Sequence, residues 1–122
     1  MRREKPHYWL ECWRQAFDFV PIAYELASSF PSTERFELAS QLRRAATSVP
    51  LNIAEGAGRY SPAEFSRFLL IARGSVTELD TILLLSERLG YLTPTQTDDA
   101  IAILDRLTGL INGLLKSLKP KE

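Results

Sequence analysis

A chain of 122 residues with 45% hydrophobic content has enough apolar side chain for one compact domain, expected to span residues 1–122, with its own core. Fifteen basic residues balance fifteen acidic ones, so no global charge announces a nucleic-acid binder, and the lone Cys12 excludes an internal disulfide. No stretch has the uninterrupted apolar length of a membrane span, and MRREKPHYWLE has no secretory apolar core, so the expectation is a cytoplasmic protein with no membrane partner.

The chain reads as four helices separated by turn signals, with no alternating strand pattern. The first is expected over 10–29, where Trp13, Ala16, Phe17, Val20, Tyr24 and Ala27 recur at helical spacing and Pro21 removes one backbone donor. Phe30-Pro31-Ser32 closes it. The second is expected over 33–57, capped by Ser32 or Thr33, bent at Pro50 and ended by Gly56 with Gly58. Ser61-Pro62-Ala63-Glu64 supplies a cap, a proline at the first helical position and a reciprocal glutamate, opening a helix over 62–89 before Gly90. Thr93-Pro94-Thr95-Gln96 repeats the device for a helix over 94–118, whose Ala100, Leu104, Leu107, Ile111, Leu114 and Leu118 form a bundle seam. Short connections make neighbours antiparallel, so the fold class is all-α, an up-down-up-down four-helix bundle.

The second helix separates into stripes. Leu38, Leu42, Ala45, Val49 and Ile53 share an apolar face, Gln41, Arg44, Ser48, Asn52, Glu55 and Arg59 line up beside it, and Ala39, Ala46, Ala54 and Ala57 leave room for a close neighbour. In the third helix Ile82, Leu83, Leu84 and Leu85 surround a whole turn with apolar groups, more than one core can cover. In the fourth, Ala102, Gly109 and Gly113 lie opposite the leucine seam, where glycine weakens a helix unless a backbone approaches closely. These surfaces point to self-assembly into a homo-oligomer.

QLRRAATSVPLNIAEGAGR, over 41–59, followed by FSRFLLIARGSVTEL, over 65–79, resembles the bacterial four helix bundle family that includes the 23S rRNA-intervening sequence proteins. The similarity runs from about Trp13 to Tyr91 and more loosely to Leu118. It implies a four-helix bundle protomer in a ring-like homopentamer. It also implies kinship with the accessory proteins of diversity-generating retroelements, which help a reverse transcriptase and bind nucleic acid.

Enzymatic motifs are missing. His7 is the one histidine and sits in the N-terminal arm with Tyr8 and Trp9, so a Cys/His nucleophile or a histidine-rich metal site has no materials, and no cofactor is expected. Gln41, Arg44, Ser48, Asn52, Glu55, Arg73 and Glu78 read as a structural or interfacial polar network, in which Arg73 pairs along its own helix or reaches Glu55 across the bundle. Charge placement gives the sharper lead. Up-down topology gathers Arg2, Arg3, Lys5, Arg59, Arg67, Lys116, Lys119 and Lys121 at one end, while Glu25, Glu34, Glu37, Asp98 and Asp99 face Arg35 and Arg88 at the other. Solvated tails and ordinary helix C-terminal lysines account for the same pattern. The expected function is therefore non-enzymatic: an oligomeric binding or scaffolding protein associated with RNA or DNA, or alternatively a protein-interaction adaptor without direct nucleic-acid binding, which recruits another factor such as a nucleic-acid-processing protein.

Overall fold

The computed structural model describes residues 2–34 and 36–120. Four helices dominate: α1 (Glu11–Ser28), α2 (Leu38–Ala57), α3 (Pro62–Arg88) and α4 (Pro94–Ser117), with short 3-10 turns at Pro6–Trp9 and Ser32–Glu34 and no strand among the described residues.

Both proline-led starts form as their sequences require. Ser61 Oγ accepts from the Glu64 amide at 3.3 Å, and Thr93 Oγ1 accepts from the Gln96 amide at 3.1 Å. Only the second closes its box, with Gln96 Oε1 taking the Thr93 amide at 2.9 Å. The expected reciprocal role of Glu64 fails because its carboxylate takes the Arg67 guanidinium instead, at 2.8 Å. A charged donor one turn away outcompetes a neutral amide.

The start of α2 needs correction, from 33 to Leu38. Ser32 and Thr33 lie in a 3-10 turn that begins when the Glu34 amide bonds to the Pro31 carbonyl at 2.8 Å, and neither caps the helix. Glu34 supplies the cap from outside, its Oε2 accepting from the Leu38 amide at 3.3 Å. Its other oxygen accepts from the Tyr91 hydroxyl at 3.0 Å, tying this turn to the α3–α4 connection.

The end of α2 also differs from expectation. Gly56 lies inside the helix, where an added Cβ would sit 2.8 Å from the Cβ of Phe68 and 3.0 Å from Phe65 Cδ1. It is glycine because α3 crosses too closely for a side chain, and it ends nothing. Gly58, the C-cap, keeps an ordinary right-handed backbone, and the left-handed residue is Tyr60, at φ +56°. After α3, Gly90 takes φ +80° and turns the chain toward α4.

Helix contacts join α1 to α2, α2 to α3 and α3 to α4, and close the circle between α1 and α4, with none on the diagonals, as a four-helix bundle requires. Alanines let α1 and α2 approach: Ala16, Ala23 and Ala27 are buried on one, Ala39, Ala45 and Ala46 on the other. Phe19, Leu42, Ile53, Leu69, Leu79, Leu83, Leu104, Leu107 and Ile111 fill the centre, each worth about 1.5–3 kcal/mol when fully buried. Neither Pro21 nor Pro50 breaks its helix, although each leaves the carbonyl four residues earlier, of Phe17 and Ala46, without its usual helical donor. In α3, Ile82 and Leu83 enter the core while Leu84 and Leu85 stay about half exposed, 49% and 48%. No helix is long and apolar enough to cross a membrane, among the described residues.

Candidate nucleic-acid interface

The polar stripe of α2 does not form one network. Its inner part is tight: Asn52 Nδ2 donates to the Ser48 carbonyl at 2.8 Å and to Ser48 Oγ at 3.0 Å. That leaves the Ser48 hydroxyl to pair with Ser75 Oγ on α3, 2.9 Å away and half-buried. Gln41, Arg44 and Glu55 are exposed, as is Glu78 on α3. Arg44 reaches only Ser40, at 3.5 Å, and Glu55 takes Arg59 one turn on, at 2.6 Å.

The expected Arg73–Glu55 pair does not form, nor does one along α3. Arg73 Nη1 donates instead to Asn112 Oδ1 on α4, at 2.9 Å, because α3 turns that position toward α4 and Ser75 toward α2. Ser75 and Asn112 are the partners that sequence reasoning missed. A serine two residues past Arg73 falls about 200° around a helix, a signal that both could not serve the same neighbour.

Of the expected basic residues, Arg2, Arg3, Lys5, Lys116 and Lys119 are exposed, and Lys121 lies outside the described residues. Arg59 and Arg67 hold Glu55 and Glu64 in exposed pairs, at 2.6 and 2.8 Å, and both guanidinium groups lie over the Phe68 ring, 5.0 and 4.5 Å from its centroid. The Arg67 guanidinium lowers the Glu64 pKa, chiefly through that hydrogen bond. Such exposed pairs are weak and leave the cations able to exchange carboxylate for phosphate.

The N-terminal arm is stapled by rings. His7 and Tyr8 stand 4.9 and 5.5 Å from Trp13, which stacks on Phe17 at 4.8 Å. Partial burial, and then the Lys5 ammonium, lower the His7 pKa, favouring the neutral ring. Burial pushes the Cys12 thiol up to about 11, so at neutral pH it stays protonated and unreactive. Among the described residues no group of three or more His, Cys, Asp or Glu side chains could hold a metal.

The model of the 23S rRNA-intervening sequence protein family matches residues 9–113, from the exposed Trp9 to Gly113 within α4. The chain belongs to this family. Its match covers both distinctive runs, the α2 stripe with Gly56 and the α3 segment with Arg73 and Ser75, and so takes in the whole α2–α3 seam. No curated protein matches the chain.

Proposed function

We propose that this protein is a non-enzymatic, cytoplasmic binding or scaffolding protein, assembled as a ring-like homo-oligomer with a pentamer the expected size, whose basic end binds RNA or DNA. The pairing of residues between helices carries the reading. Ser48 meets Ser75 while Gly56 meets Phe65 and Phe68, so numbers fall along α3 as they rise along α2. Arg73 meets Asn112, while Asp80 shares a cleft with Asp105, the same sense for α3 and α4. Trp13 and Ala54 line one cleft and Tyr24 lies under Arg43, the same sense for α1 and α2.

These pairings support an up-down-up-down bundle. It brings the arm, the α2–α3 turn and the end of α4 together, with Arg2, Arg3, Lys5, Arg59, Arg67, Lys116 and Lys119, while Glu25, Glu34, Glu37, Asp98 and Asp99 go to the other end with Arg88. Arg35 lies outside the described residues. A ring that repeats the basic end around its axis multiplies the field that attracts phosphates.

The test is reversal of Arg2, Arg3, Lys116, Lys119 and Lys121 to glutamate, with labelled RNA and DNA titrated at low and physiological salt. The natural protein should bind with a steep salt dependence and the reversed protein should not, at unchanged oligomeric mass. A monomeric natural protein at micromolar concentration removes the ring. One observation favours the adaptor reading: an apolar cleft of about 450 Å³ lined by Trp13, Phe17, Val20, Pro21, Pro50 and Leu51. Absent nucleic-acid binding even at low salt would leave that cleft as the working surface.

A further inference from the structure

We propose that the basic end takes unpaired nucleobases, stacked on Trp9 and Tyr60, so that its ligand class is single-stranded RNA or DNA rather than duplex. The proposal rests on the nucleic-acid reading above and adds what that reading leaves open, the part of the ligand recognised besides phosphate.

Two large aromatic side chains stand at this end without a place in the core. Tyr60 is 92% exposed and Trp9 66%. The ring staple of the arm does not need Trp9, since His7 and Tyr8 are the residues that pack on Trp13. Tyr60 is the clearer case. It occupies a left-handed backbone, φ +56°, that glycine or asparagine would adopt with less strain, and its ring covers almost nothing in return. Nothing in the folding of this turn calls for tyrosine.

Cations stand near both rings in sequence, with Glu4 and Glu11 also near Trp9, and Arg59 and Arg67 held in exposed pairs by Glu55 and Glu64. Trp9 follows the run Arg2-Arg3-Glu4-Lys5-Pro6-His7-Tyr8, and Tyr60 follows Arg59 directly, which shares the Phe68 ring with Arg67. The antiparallel register sets both rings at the same end: Trp13 shares its cleft with Ala54, Trp9 stands just before α1 begins, and Tyr60 stands just after α2 ends, while His7 folds back into that cleft. An apolar protein partner would be met by a continuous apolar patch, and the cleft at Trp13 and Phe17 that offers one includes neither Trp9 nor Tyr60. Exposed rings beside cations that can exchange weak, exposed carboxylate pairs for phosphate fit a strand whose phosphates are held by the cations and whose bases stack on the rings. A duplex keeps its base faces inside and offers these rings only the stacked ends.

The experiment uses the full chain at its native oligomeric mass and three labelled probes of about 20 nucleotides: a single-stranded oligouridine, an abasic strand with the same backbone, and a duplex. Tyr60→Asn suits the left-handed turn and removes the ring, so thermal stability should hold or rise. Trp9→Leu keeps an apolar group. Each change should weaken oligouridine binding roughly five- to a hundredfold and leave abasic and duplex binding within about twofold of the natural protein. The chain has only two tryptophans, so oligouridine should also quench intrinsic fluorescence, and Trp9→Leu should remove most of that quenching.

Equal affinity of the natural protein for the abasic strand and the oligouridine would overturn base stacking while leaving the phosphate-binding end intact. So would unchanged oligouridine binding by both variants. No binding of any probe at low salt would overturn the underlying reading as well. Loss of oligomeric mass in either variant would assign these rings to a contact between copies and likewise overturn the proposal.

Discussion

The α2–α3 and α1–α4 seams of this bundle are built to different tolerances. At the first, the backbone of α2 comes so close to α3 at Gly56 that a Cβ there would stand 2.8 Å from Phe68 Cβ, and Ser48, Asn52 and Ser75 close the polar flank. At the second, a cleft of about 520 Å³ opens between the helices, floored by Ile22, Leu26, Ala100 and Ile103 and edged by Glu25 and Asp99. The two runs that carry the family resemblance, 41–59 and 65–79, supply the contacts of the tight seam, Gly56 against Phe65 and Phe68 and Ser48 against Ser75. At these contacts the sequence answers a packing requirement. The ligand chemistry proposed above lies elsewhere, on residues that are individually unremarkable.

The largest effect should come from breaking the tight seam. Gly56→Leu places a branched side chain against Phe65 and Phe68, where Cβ alone already overlaps. Either α3 moves away or α2 bends, and the cost should be about 3 kcal/mol or more. Thermal or denaturant unfolding measures it, and a loss below about 1 kcal/mol would mean that the helices approach less closely than described. The open seam should respond weakly by comparison. Ile103→Ala, on a half-buried side chain at the cleft, should cost roughly 1 kcal/mol, because part of its surface is already hydrated and the cleft leaves no sealed cavity. A penalty as large as that of Gly56→Leu would show that something covers the cleft in solution.

The same contrast explains what could be read from the chain. Features set by local chemistry were legible: the proline-led starts of α3 and α4, the core leucines of α4, and the family resemblance that residues 9–113 bear out. The start of α2 was misread because Ser32 and Thr33 have good capping side chains. The Pro31-led turn takes them first, and that turn is held from afar by Tyr91 on Glu34. Arg73 was misassigned for the same kind of reason. Its choice of Asn112 over Glu55 depends on the rotation of α3 between two neighbours, which no single-helix pattern contains. Tyr60 escaped notice because its left-handed backbone belongs to a turn defined only once Gly56 is known to continue the helix.

The smallest effect concerns coupling across the tight seam. A polar network running from Glu55 on α2 to Arg73 on α3 would make each single change to leucine strand a charge, and the double change would cost less than the sum. The geometry divides these residues instead: Glu55 takes Arg59 on its own helix, in a pair whose side chains are about half exposed, and Arg73 takes Asn112 on the far side of α3. A double-mutant cycle on Glu55→Leu and Arg73→Leu should therefore be additive within measurement error. The cycle Arg73→Leu with Asn112→Ala should not be additive, since those two share a 2.9 Å bond. Measured coupling between Glu55 and Arg73 would require α3 to rotate in solution, turning Arg73 from α4 to α2. That would make the tight seam, rather than the open one, the part of the bundle that moves.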